Sequence, residues 1–125
     1  MAQLFLKNAL GYLDSAEADS AGEVALASCC YALELILKSY LLGRGFTDAW
    51  NAEHLGHDLS KAHALAVRHG LPDDDARIDQ LIREVNVAVA SHDLMRLHAE
   101  RPGLVARYEA VIALRSLHRA AERRQ

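Results

Sequence analysis

His54, His57 and His63, with Asp58 among them, are the residues whose types could most directly do chemistry, since imidazole and carboxylate groups move protons or hold metals. They cluster around one loop-to-helix junction. A zinc centre normally shows tighter pair spacing and a defined fourth ligand. The spacing therefore favours a structural role, with Asp58 capping a helix and His57 hydrogen-bonded to the turn carrying Glu34 and Lys38, a buried polar lock. Asp73, Asp74 and Asp75 form a second acidic group, but consecutive residues fan around a helix and the sequence fixes no further ligand nearby. They suit the positive end of a helix dipole instead.

Other chemistries find no pattern here. No Glu is followed by His three residues later, which excludes a ferritin-like di-iron centre. Ser, His and Asp occur without a G-x-S-x-G or comparable nucleophile context. Walker-type and G-x-G-x-x-G phosphate loops are absent as well. Cys29 and Cys30 are neighbours in a helical run, where their side chains diverge by about 100° and a mutual disulfide would break the helix. They read as small buried hydrophobes in a reducing compartment. No metal, cofactor or catalytic residue is expected.

The element that must position these groups is Gly22 to Leu42, the longest apolar helical run. At about 100° per residue, Leu26, Cys29, Cys30, Leu33, Ile36, Leu37, Tyr40 and Leu41 fall on one broad stripe. Tyr31, Leu35 and Leu42 lie on the other side, interrupted only by Ser28, Glu34, Lys38 and Ser39. A helix apolar nearly all round needs partners on two sides. Glu34 and Lys38 stand at i, i+4 in the favourable order, and both would be costly inside a bilayer. A membrane span is not expected.

A first helix is expected from Ala2 to Ala18, with Leu6, Ala9, Leu10, Leu13 and Ala16 inward. Ser20 and Glu23 match a capping box for the central helix, and so short a link makes the two helices antiparallel. RGFTDAWNAEHLG reads as a long loop whose Phe46 and Trp50 fold back onto the bundle. A third helix follows from the Asp58 cap to Gly70, with Leu59, Ala62, Leu65 and Ala66 inward. A fourth opens at Asp73 to Asp75 and carries Ile78, Leu81, Ile82, Val85, Ala88, Val89 and His92. Pro102 suits the start of a fifth, which buries Leu104, Val105, Tyr108, Val111 and Ile112 and ends in the basic, solvated tail RSLHRAAERRQ.

The totals agree with this reading. A chain of 125 residues, 51% hydrophobic and 25% charged, can bury a core as a single domain, residues 1–125, without staples. Its net charge of −3 supplies no global basic field for nucleic acid. The N-terminus MAQLFLKNALGYL lacks a basic region followed by an apolar block, so a cytoplasmic protein is expected.

YALELILKSYLLGRG and LGHDLSKAHALAVRHGL together resemble the HEPN family of small prokaryotic helical proteins. Glu34, Leu35 and Lys38 match an E-L-x-x-K helix, and Gly56, His57, Asp58 and Leu59 match the G-H-D-L start of the next. The resemblance implies an all-α, up-and-down bundle of about five helices and dimerisation. It also implies a nucleotide or RNA setting, often in toxin and antitoxin or phage-defence loci. The family's ribonucleases share an Arg-x(4 to 6)-His motif, and Arg68, Arg77, Arg83, Arg96, Arg101 and Arg107 all lack a His at that spacing.

The chain thus reads as a non-catalytic HEPN-like module for a nucleotide, RNA or a protein partner, such as a nucleotidyltransferase. The alternatives are a divergent ribonuclease using His57, His92 or His98 with an Arg from another helix, or a plain dimeric scaffold or small-ligand carrier. Val87, Leu114 and Leu117 lie off the main stripes of the last two helices, so a homodimer is expected to cover them. That interface would bring Arg83, His92 and Arg96 into a shared cleft for a phosphate-bearing ligand.

Overall fold

The structure, a computed structural model, describes residues 1–18, 23–90 and 108–124. Six helices occur among them: α1 (Ala2–Ala18), α2 (Glu23–Gly43), α3 (Asp48–His54), α4 (Leu59–Arg68), α5 (Ala76–Ala90) and α6 (Tyr108–Arg123). No strand is present among the described residues. The all-α expectation is met, and the capping box at Ser20, together with Leu104 and Val105, lies outside the described residues.

Helix α2 is the centre, packing against α1, α3, α4 and α6. All eight residues of its expected stripe are buried, and so are Ala25, Ala32, Ser28 and Ser39. The last two correct the sequence reading, which placed both serines on the outer side. Burial of Ser39 is tolerated because its hydroxyl donates to the Ala2 carbonyl at 2.8 Å. That bond joins the end of α2 to the start of α1, so these two helices are antiparallel. By length and composition Ala25–Gly43 is apolar enough to cross a membrane, and 67% of the window is buried inside the chain, as a core helix requires.

Helix α1 buries Leu6, Ala9, Leu13 and Ala16. Leu10 sits beside that narrow stripe and is 37% exposed. In α4 the inward residues are Leu59, Ala62, His63 and Ala66, with Leu65 partly buried. Ile78, Leu81, Ile82 and Val85 of α5 join the same core.

The expected long loop contains α3. Thr47 caps it by accepting from Trp50 N at 3.0 Å, a short-range signal hidden by the lack of a sustained apolar period. Phe46 and Trp50 pack partly buried against the core, their rings 4.8 Å apart. This segment also returns the chain along α2. Glu34 meets His57 just before α4, and Tyr40 Oη donates to the His69 carbonyl just after it, so α4 runs in the same general sense as α2. Strict up-and-down order is broken there, because α3 makes the reversal that a tight turn would otherwise have made.

The C-terminal helix corrects three expectations. Leu114 and Leu117 are buried within the chain, at 0% and 7% exposure, whereas Ile112 is 37% exposed. The side chain of Val87 is outside the described residues. The tail is docked: Arg115 forks onto Asp14 at 2.8 Å and Glu17 at 3.0 Å, and buried His118 shares a 2.8 Å hydrogen bond with the Leu6 carbonyl. Arg44 also donates to the Arg124 carbonyl. The apolar spacing of α6 was visible in sequence; the face it buries carries Val111, Leu114, Leu117 and Ala121, with these polar contacts beside it.

Candidate functional site

The motif residues Glu34, Lys38, Gly56, His57 and Asp58 come together at the α2–α4 junction. Helical spacing brings Lys38 Nζ to 3.8 Å from Glu34 Oε2. Gly56 ends the α3 segment at φ 54°, its N–H donating to the Asn51 carbonyl, a left-handed position that glycine adopts without Cβ strain. The chain then turns so that Asp58 caps α4, its carboxylate accepting from Lys61 N at 3.0 Å. Between these two devices His57 is aimed at α2, with Nδ1 2.8 Å from Glu34 Oε1.

The lock expected from sequence is present, but it is less buried than expected. Glu34 and Lys38 are 16% and 14% exposed, whereas half of the His57 side chain meets solvent. The helix surface covers the carboxylate, and the imidazole forms the outer wall. Such an arrangement fixes the orientation of the ring as a buried carboxylate does in acid–base sites.

The other expected ligand residues do not form a site among the described residues. Arg83 is on the exposed side of α5, and His92, His98 and Arg96 lie outside the described residues. His54 stacks on Trp50 with ring centroids 4.4 Å apart, while His57 turns to Glu34. The three-histidine junction is therefore split among different partners.

A different cluster converges, one that the sequence reading did not assemble. His63 on α4, Asp73 in the connector and Asp79 in the first turn of α5 place ligand-type atoms within 4.8 Å of one another. Sequence offered His63 and an acidic run, but only the antiparallel docking of α5 on α4 brings residues 10 and 16 positions apart to one point. That docking is marked by Ser60 N donating to Asn86 Oδ1 at 3.1 Å. Asp75 is committed elsewhere. Its fork to Arg77, 2.8 and 3.0 Å, holds its carboxyl below the usual range, the side-chain hydrogen bonds outweighing slight burial.

Two concavities bear on ligand size. A small one of about 40 Å³ is lined by His63, Asp73, Asp74, Ile78 and Leu117 among others, room for a few waters or an ion and far below a nucleotide. An open groove of about 470 Å³ runs along α1 and α2, lined by Lys7, Asn8, Gly11, Tyr12, Ser15 and Leu35. Beside it Tyr12 and Tyr31 pair at 5.4 Å, 38% and 48% exposed, and Leu4 is 56% exposed. Among the described residues, neither amide atom of buried Asn51 has a hydrogen-bond partner.

No known protein family, curated protein or solved structure matches the chain.

Proposed function

We propose that the chain is a non-catalytic HEPN-like binding module that engages a protein partner, first of all a second copy of itself. The observation that carries this reading is the 2.8 Å bond between Glu34 and His57, which joins the E-L-x-x-K half of the motif to its G-H-D-L half. The absence of the Arg-x(4 to 6)-His spacing supports a binding role over a catalytic one.

The outer face of α1 and α2 suits that role. Leu4, Asn8, Gly11 and Ser15 share one helical stripe and lead to the Tyr12 and Tyr31 pair and Leu35. Among the described residues, Lys7 is the one cationic side chain lining this groove, which favours an apolar protein surface over RNA or a nucleotide. The homodimer interface is thus moved from the last two helices, whose Leu114 and Leu117 the chain buries by itself. A toxin and antitoxin or defence setting, with a nucleotidyltransferase-type partner, belongs to the same proposal.

A second reading has one observation in its favour: the half-exposed, carboxylate-oriented imidazole of His57 is a general acid–base arrangement, which a divergent ribonuclease would use. Sedimentation equilibrium at micromolar concentration and incubation with labelled structured and single-stranded RNA test both. The expected results are a two-chain mass that Tyr31→Glu reduces to one, and intact RNA. A one-chain mass at every concentration overturns the dimer. Cleavage abolished by His57→Ala replaces the binding module with the nuclease.

A further inference from the structure

The geometry points to a divalent metal site of the zinc class at the α4–α5 junction, built from His63, Asp73 and Asp79. The imidazole of His63 lies in α4 with 10% of its side chain exposed. Its Nε2 faces Asp73 Oδ1 at 3.7 Å and its Nδ1 faces Asp79 Oδ1 at 3.7 Å. Neither nitrogen makes a hydrogen bond among the described residues.

Those separations are informative. A direct N–H to carboxylate bond would close to about 2.7–2.9 Å. Two ligands of one tetrahedral zinc, each at about 2.0–2.1 Å, stand roughly 3.3 Å apart, so 3.7 Å needs only a small inward movement. A buried imidazole at ion-pair distance from two carboxylates offers a cation both a nitrogen and an oxygen ligand at one point. Calcium and magnesium take oxygen ligands and have no use for the imidazole.

The two carboxylates have different parts. His63 and Asp73 both line the small pocket, and Asp79 does not. The ion therefore sits on the Nε2 side, bound by His63 and Asp73, with water in the remaining positions and Asp74 and Asp75 also lining the same pocket. Asp79, 3.7 Å from Nδ1, would close by roughly 1 Å on metal binding to accept the proton on that nitrogen, which would fix the tautomer and turn the Nε2 lone pair to the metal, as carboxylates behind metal-bound histidines do. The pocket's volume of about 40 Å³ accommodates an ion with its waters. Bound there, the metal would clamp the α4–α5 connector to the middle of α4.

Calorimetric titration of the full chain with zinc chloride at pH 7.5, alongside thermal unfolding, tests the site. The expected result is one zinc per chain and a raised unfolding midpoint. Both should be lost in His63→Gln and retained in His54→Gln and His57→Gln, which separates this site from the histidines of the α3–α4 junction. Asp79→Asn should keep the stoichiometry and weaken affinity about 10- to 100-fold. Absence of saturable binding, or binding that survives His63→Gln, overturns the proposal and leaves His63 as an ion-pair partner of the two aspartates. Should His63→Gln fail to fold by circular dichroism, Asp73→Asn decides, because its side chain is 40% exposed; unchanged affinity in that folded variant also overturns the site.

Discussion

Glu34 does three things with one carboxylate: it supports α2 through Lys38, holds His57, and thereby fixes the entry into α4. Removing it should cost about 1–2 kcal/mol, below the upper range for charged hydrogen bonds because His57 is half in water. A urea-unfolding cycle of Glu34→Gln, His57→Gln and the double variant should yield a coupling of about 0.5–1 kcal/mol. Strict additivity would mean that the bond does not hold the junction. Asp75 gives a pH signature. Its carboxyl is depressed by the Arg77 guanidinium in the folded chain, so its contribution is fully present above the ordinary carboxyl pKa. It is lost as pH falls through the lower folded value. Stability measured from pH 6 to pH 2 should therefore fall less steeply at the acid end in Asp75→Asn than in the parent chain.

At the scale of elements, the end of α4 is fixed by a close approach. Gly70 stands at φ 105°, and a Cβ there would meet Tyr40 Oη at 3.0 Å. That hydroxyl is held in place by its 2.8 Å bond to the His69 carbonyl. Gly70→Ala thus combines an unfavourable backbone region with a contact that cannot yield without breaking the Tyr40 bond. A loss of about 2 kcal/mol is expected by chemical denaturation. Adding Tyr40→Phe should recover part of it by removing the obstructing oxygen, and an equal loss in both backgrounds would assign the whole effect to the backbone.

For the whole molecule, the relevant fact is that α2 packs against α1, α3, α4 and α6 and carries both cysteines on its buried face. Burial raises the Cys29 and Cys30 thiols from near 9 to about 12, so neither forms appreciable thiolate at neutral pH. A thiol reagent such as Ellman's disulfide should leave both unmodified at pH 8 in the folded chain and label both in denaturant. The labelling midpoint should coincide with loss of helicity, since α2 cannot open without opening the core. Rapid labelling under native conditions would show that α2 is not the last element to open.

Sequence by itself determined the helices that bury a stripe. The eight inward residues of α2, the Asp58 cap, and the Gly70 terminus follow from periodicity and backbone chemistry, which act within a few residues of the chain. The meeting of Glu34 with His57 was legible as well, since two short motifs marked both halves of the contact. Helix α3 was missed because seven residues held by one threonine cap carry no apolar period. Tertiary structure alone decided which apolar groups remain outside: Leu114 and Leu117 looked surplus to a single helix, yet packing of α6 on α1, α2 and α5 buries them, whereas Leu4, Tyr12 and Tyr31 stay exposed. It likewise decided the meeting of His63 with Asp73 and Asp79. Their coincidence depends on how far α5 slides along α4, a distance set by packing between helices, which no spacing within either helix encodes.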